Sequence, residues 1–282
     1  MSQLAAYLAR IGLGAPPPAD ARGLATLQQA HRRAIGFENL DIPLGRPIRI
    51  DRDAAFAKLV LGGRGGYCFE HNRLYADVLA ALGYAARPLL ARVWLGLDPA
   101  ADPAPPRTHT LLLADIAGTP WIADAGFGGS YVPPLPLREA DEVATADGAR
   151  HRLRRPAAGE AGDAEWLLER AGPASATDGR SAAHYDWQPQ YGFTLAPVAP
   201  ADLELSNHWT STRPATRFTT LRIASIALPD GFASLNDRRL SLHRGGTAEA
   251  RDIGDAAEYR SLLSGLFRIE LSDEEVAALG LF

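Results

Sequence analysis

Leu74, Val78 and Leu82 recur four residues apart, with Tyr75 and Leu79 beside them, and form the apolar face of a helix that begins near Cys68. Gly83 supplies its stop signal. The same period appears earlier. Leu4, Leu8 and Ile11 open a first amphipathic helix, which Pro16-Pro17-Pro18 breaks, and Leu24, Leu27 and His31 mark a second. A third apolar stretch, Ala54 to Leu61, runs into the glycine-rich loop Gly62-Gly63-Arg64-Gly65-Gly66. Residues 1–83 therefore read as a helical bundle.

From Arg87 the period falls to two. Leu89 to Leu95 reads as a strand, and the four prolines between Asp98 and Arg107 make a loop. Thr108 to Ile116 and Trp121 to Ala125 flank Gly118-Thr119 as a hairpin. Residues 138–163 are polar and arginine-rich, as loops between short strands would be, and Trp166-Leu167-Leu168 is a further strand. Residues 84–190 are thus mainly β, a small barrel or sandwich. Beyond Tyr191 the pattern is mixed. Leu221 to Leu228 and Leu240 to His243 are strands, with a turn at Pro229-Asp230-Gly231. Ala256 to Leu263 and Ser272 to Leu279 are helices, the second opened by Ser272 and Glu275 at capping-box spacing. The expected class is α+β in three parts: 1–83, 84–190 and 191–282.

Composition changes this picture little. A hydrophobic share of 46% over 282 residues supplies a sizeable core. A net charge of −4 gives no reason to expect nucleic acid or an anionic membrane as partner. No apolar run approaches the roughly 18 residues of a membrane helix. Met1 to Arg10 lacks a basic segment ahead of an apolar one, so a secretory signal is not expected, and the cytoplasm is the default location. Lys58 is the only lysine among 29 basic residues, which reads as composition bias.

Cys68 is the only cysteine. It follows a glycine pair and falls in the first turn of the helix, where free backbone N–H groups favour an anion. Such a position is expected to lower a thiol pKa from about 8.5. A nucleophile needs a base. His109 starts the strand Thr108 to Leu113, and Asp124 lies on the strand that returns across the hairpin. If the turn between them holds an even number of residues, Asp124 faces Leu111 or Leu113, which share a face with His109. A diagonal carboxylate–imidazole hydrogen bond is then within reach. Cys68, His109 and Asp124 make a candidate triad. Of the other histidines, His31 is expected to pack inward. His151 and His243 sit in polar surroundings, and His71 and His184 show no partner in the sequence. No cluster has metal-ligand spacing, so no metal is expected. The glycine loop lacks the preceding strand of a phosphate-binding motif.

These residues resemble the arylamine N-acetyltransferase family over nearly the whole chain. The family's run Arg-Gly-Gly-any-Cys-(Phe or Leu)-Glu-any-Asn stands here as Arg64 to Asn72. Its Pro-Phe-Glu-Asn-Leu type of run is similar to Ile35 to Leu40, with Gly36 where the family usually has proline. Its His strand and its Asp-(Val or Ala)-Gly-Phe-Gly run resemble His109 to Leu112 and Asp124 to Gly128. Softer matches are Asp202-Leu203-Glu204 with Asn207, and Ser211 to Pro214 ending at Phe218. The resemblance implies a helical bundle, a β-barrel and an α/β lid. It implies acetyl-coenzyme A as donor, and an arylamine, arylhydrazine or N-hydroxyarylamine as acceptor. Phe37 and Phe127 would wall the acceptor cleft, and Gly126 and Gly128 would let the pantetheine arm approach the backbone. Thr216 would supply a hydroxyl for coenzyme A, and Trp209, with His208, the lid side of the cleft. Arg64 and Glu70 would form a buried ion pair that holds the loop. Two alternatives stay open: an amide synthase that closes a polyketide macrolactam with the same triad, and a cysteine peptidase or transglutaminase-like hydrolase.

Overall fold

The computed structural model describes residues 2–139, 141–181 and 187–282. The first part is the helical bundle. Ser2, Asp20 and Asp51 each accept a backbone N–H and so cap α1 (Gln3–Arg10), α2 (Ala21–Ala34) and α3 (Arg52–Phe56). One π-helical turn, Ala57–Leu61, follows α3, and α4 (Cys68–Ala81) ends ahead of Gly83 at φ +89°. The predicted apolar faces meet. Tyr7, Leu8, Leu24, Leu27, Leu74, Tyr75, Val78 and Leu79 are buried in one cluster, which Leu112 and Ala123 of the second part join. Between α2 and α3 lies a two-residue strand, β1 (Phe37–Glu38).

The second part is an eight-stranded antiparallel sheet that curls into a nearly closed barrel. Its strands are β2 (Ala85–Val93), β3 (Arg107–Ile116), β4 (Thr119–Ala123), β5 (Leu135–Pro136), β6 (Val143–Ala144), β7 (Arg150–Arg154), β8 (Trp166–Ala171) and β9 (Gln188–Phe193). They lie in the order β5-β4-β3-β2-β9-β8-β7-β6. Leu89, Leu111, Ile122, Leu153, Leu168 and Phe193 fill its interior. The β3–β4 hairpin turns on Ala117 and Gly118, both at positive φ, one residue earlier than expected. The turn has two residues, an even count. Its register runs from Ile116↔Thr119 to Leu112↔Ala123, so Asp124 follows opposite Leu111, on the face of His109.

The third part holds α5 (Pro200–Thr212), α6 (Arg217–Thr220), β10 (Ile223–Leu228), β11 (Gly231–Asn236), β12 (Arg239–Arg244), β13 (Thr247–Asp252), α7 (Ala256–Gly265) and α8 (Asp273–Ala278). Ser272 and Glu275 form the expected capping box of α8. Its sheet runs β1-β10-β11-β12-β13, so a strand from the bundle completes it, with Phe37 opposite Ser225 and Glu38 opposite Ala224. Leu40 from the bundle packs in the core of this part with Ile226, Leu235, Tyr259 and Phe267. The α+β class and the order of the three parts are as expected. β9 runs through the expected 190/191 boundary and pairs with β2 and β8, and we propose the boundary after Phe193 instead.

Candidate active site

Three elements converge on one cleft of about 660 Å³. Cys68 is the first residue of α4, His109 lies near the start of β3, and both line the cleft. Asp124 follows β4 and is buried behind His109. His109 Nε2 is 2.7 Å from Asp124 Oδ2. Asp124 Oδ1 accepts from Asn72 Nδ2 at 3.1 Å and from the Gly126 N–H at 2.9 Å. Asn72 Oδ1 accepts the Ala125 N–H at 3.1 Å, so one asparagine of α4 fixes Asp124 and the residue after it. Burial works against an ionised Asp124, but His109 and the hydrogen bonds from Asn72 and Gly126 hold its carboxyl below the usual range. Bonding at Nε2 leaves Nδ1 as the ring nitrogen available to the Cys68 thiol. The thiol itself lies 3.6 Å from the Thr108 carbonyl.

The expected lowering of the Cys68 pKa is not what the site produces. Burial pushes the thiol up, and Asp124 and Glu70 add to the rise. The N–H groups of Thr110 and Phe69 pull the other way and do not win. A helix start favours an anion, but this one is sealed from water.

Phe37, Gly126, Phe127, Gly128, Trp209 and Thr216 all line the cleft; His208 does not. The two glycines have a reason within the fold. A Cβ on Gly126 would lie 2.8 Å from Cys68 Cα and 2.7 Å from Asn72 Nδ2, and one on Gly128 would lie 2.5 Å from the Phe37 ring. Thr216 directs its hydroxyl at the Arg213 carbonyl and Thr219. Sequence reasoning missed Tyr191, whose ring lies 4.9 Å from that of His109, and the polar end of the cleft, where Arg180 and Arg217 share Asp178. Nothing in the local pattern around these residues marks them. Among the described residues no group of three His, Cys, Asp or Glu side chains is placed to hold a metal ion. No helix among them is long and apolar enough to cross a membrane.

This arrangement has counterparts in known proteins. A family model described as N-acetyltransferase matches residues 20–276. Arylamine N-acetyltransferase from Mycolicibacterium smegmatis is 36% identical over 274 residues, covering 96% of this chain and 93% of that protein. This chain belongs to the arylamine N-acetyltransferase family. It is therefore an acyltransferase. The structure of Mycobacterium marinum arylamine N-acetyltransferase in complex with CoA superimposes with a TM-score of 0.84 at 33% identity, covering 98% of both chains. A relative with another name, proansamycin X synthase from Amycolatopsis mediterranei, is 30% identical over 268 residues, covering 92% of this chain and 94% of that one.

Below the nucleophile this acyltransferase buries a charge network rather than the expected Arg64–Glu70 pair. Arg64 binds Glu38 at 2.8 Å and Asp41 at 3.1 Å. Glu70 instead binds Lys58 at 2.7 Å, and Lys58 also reaches Asp41 at 2.6 Å. Glu70 Oε2 accepts the Tyr67 N–H at 3.0 Å, which secures the residue before Cys68. The only lysine thus has a structural role. Burial lifts Glu70, Lys58 pulls it down and Glu38 lifts it again, leaving it at about 7. Lys58→Met removes the pull, so the folded-state pKa rises further above the unfolded value. Stability from a carboxyl raised in this way is present at low pH and lost as pH climbs through the folded pKa. The variant is expected to lose about 3–5 kcal/mol near neutral pH. Denaturant unfolding at pH 5 and pH 8 should show the smaller deficit at pH 5; equal deficits would place Lys58 outside the network's charge balance.

His71, which showed no partner in the sequence, is hydrogen-bonded on both sides. Its Nδ1 is 2.7 Å from His31 Nε2, its Nε2 is 3.1 Å from the Gly36 carbonyl, and His31 Nδ1 meets the Tyr7 hydroxyl at 2.9 Å. His31 packs inward as expected. His243 binds Ser175 at 2.9 Å. His151 is fully buried, with Arg170 and Asp147 acting on it, so its surroundings are polar as expected. His184 lies outside the described residues.

Proposed function

We propose that this cytoplasmic enzyme transfers the acetyl group of acetyl-coenzyme A to arylamines, arylhydrazines and N-hydroxyarylamines by a ping-pong route through acetyl-Cys68. The observation that carries this reading is the single cleft in which Cys68 and His109 stand together, with His109 held by Asp124 at its far nitrogen. His109 takes the Cys68 proton, and the thiolate attacks the thioester carbonyl. The carbon–sulfur bond to coenzyme A breaks, and the departing sulfur recovers the proton from the imidazolium. The amine nitrogen then attacks acetyl-Cys68, passes its proton to His109 and displaces the sulfur. Asp124 stabilises the imidazolium in both halves. The amide of Phe69, at the start of α4, is suited to the developing oxyanion. Phe37, Phe127 and Phe218 give the cleft an apolar wall that suits an aromatic acceptor.

The family match favours acyl transfer over the peptidase or transglutaminase-like reading. The proansamycin X synthase among the relatives keeps the amide synthase that closes a polyketide macrolactam as a second reading. Mass spectrometry separates them. Protein mixed with acetyl-coenzyme A should gain one acetyl group on Cys68 and lose it to an arylamine, with parallel double-reciprocal plots in steady state. Intersecting lines together with no adduct would overturn the covalent route. An adduct that no arylamine removes would favour the synthase.

A further inference from the structure

Arg32 is a buried cation that feels Asp124 without forming an ion pair with it. It is 1% exposed. Its Nη2 donates to the Phe127 carbonyl at 3.1 Å, its Nη1 is buried with no hydrogen-bond partner, and among the described residues no carboxylate pairs with it. Burying a charge without an ion pair costs several kcal/mol, and a fold that keeps one gains something else by it. The location indicates what. Gln28 stands one turn earlier on α2, and its Oε1 accepts the Asp124 N–H at 3.0 Å. Side chains four apart share a helix face. α2 therefore clamps both ends of the segment from Asp124 to Phe127. The Phe127 ring in turn stands edge-on to His109, 5.2 Å away.

We propose that Arg32 is a positioning residue for the acyl transfer: it anchors Phe127 against His109, and its charge favours the thiolate of Cys68 and the carboxylate of Asp124. This rests on the role proposed above for Cys68. Burial brings Arg32 down to about 10, with Asp124 and then Tyr131 acting in the opposite direction, so it stays charged at neutral pH. His31 on α2 and His71 on α4 also feel it. The groups facing Cys68 and Asp124 are Glu70 and Tyr67 at the start of α4, His109 on β3 and Tyr191 on β9. The other nearby cations, Lys58 and Arg64, are occupied by carboxylates. Arg32 is hydrogen-bonded to the Asp124–Phe127 segment itself, whereas Arg180 and Arg217 share Asp178 at the polar end of the cleft. Removing a positive charge raises the pKa of a thiol, an imidazolium and a carboxyl alike. The whole pH profile then moves upward, which a loss of packing alone does not produce.

The test is the rate of Cys68 alkylation by iodoacetamide against pH in Arg32→Met, Arg32→Gln and Arg32→Lys, each checked for a cooperative melt. The pH of half-maximal rate should rise by about one unit in the Met and Gln variants. It should stay at the wild-type value in the Lys variant, which keeps the charge. An unmoved midpoint in a folded Met or Gln variant overturns the proposal, even where the rate falls. So does a Lys variant that shifts as far as the neutral ones. If neither neutral variant folds, the Lys variant decides: an unmoved midpoint supports the charge, and a moved one overturns it. Alkylation needs neither donor nor amine. Failure of the acetyl-transfer reading would appear separately, as no acetyl adduct on the wild-type protein.

Discussion

Cys68→Ala is expected to abolish acetyl transfer to arylamines while the fold survives. The thiol is buried among Phe37, Ile48, Tyr67, Phe69, Leu90 and Ile223, and its loss removes one heavy atom from that cluster. The void costs about 1 kcal/mol, a melting shift of about 2–4 °C for a chain of this size. Activity has no such reserve, because no second cysteine exists. The measurement is arylamine-dependent release of coenzyme A beside a thermal melt. A rate near wild type would remove Cys68 from the role of nucleophile.

Asp124→Asn should be nearly as severe, and the hydrogen bonds around the carboxylate give the reason. Oδ1 accepts from two donors, Asn72 Nδ2 and the Gly126 N–H. An asparagine must therefore keep its oxygen on that side and turn its NH2 group toward His109. His109 Nε2 then becomes an acceptor, and the ring proton moves to Nδ1. In that tautomer Nδ1 cannot take a proton from Cys68, and the imidazolium has lost its counter-charge. A comparable change in serine enzymes costs roughly ten-thousandfold. The quantity to measure is kcat/KM for an arylamine in folded variant protein. A loss under about tenfold would take Asp124 out of the mechanism.

How much of this was legible depended on whether the determining contacts were local. The helical face of α4 and the caps of α8 are local patterns, and both appear where the sequence puts them. The pairing of His109 with Asp124 was legible only on condition of an even turn, and the two-residue turn meets that condition. α5 was not legible, since it buries only Asn207 and Thr210 and so carries no apolar stripe. β13 was missed because all six of its residues are exposed, which leaves no alternation to read. Lys58, Arg32, His71 and Tyr191 escaped for another reason. Each owes its role to partners distant in sequence, and a single side chain does not announce them. The direction of the Cys68 pKa was misread on the same ground, because a helix start is a local feature and its exclusion from water is not.

The third part is called a lid by resemblance, and a lid suggests something that swings. Phe37 and Glu38 argue against that picture. By sequence they belong to the bundle, yet their backbone is stitched to β10. Asn39, next along, ties down the Phe218 and Leu221 carbonyls and the Ile223 N–H. Hinging this part open would tear those bonds and drag Leu40 out of its core into water. The doorway to Cys68 is therefore framed by walls tied to one another, and on the proposed route traffic through it would be queued by occupancy rather than gated by a swing of this part. On the proposed ping-pong route, a spent donor would have to vacate the passage before the next molecule could enter.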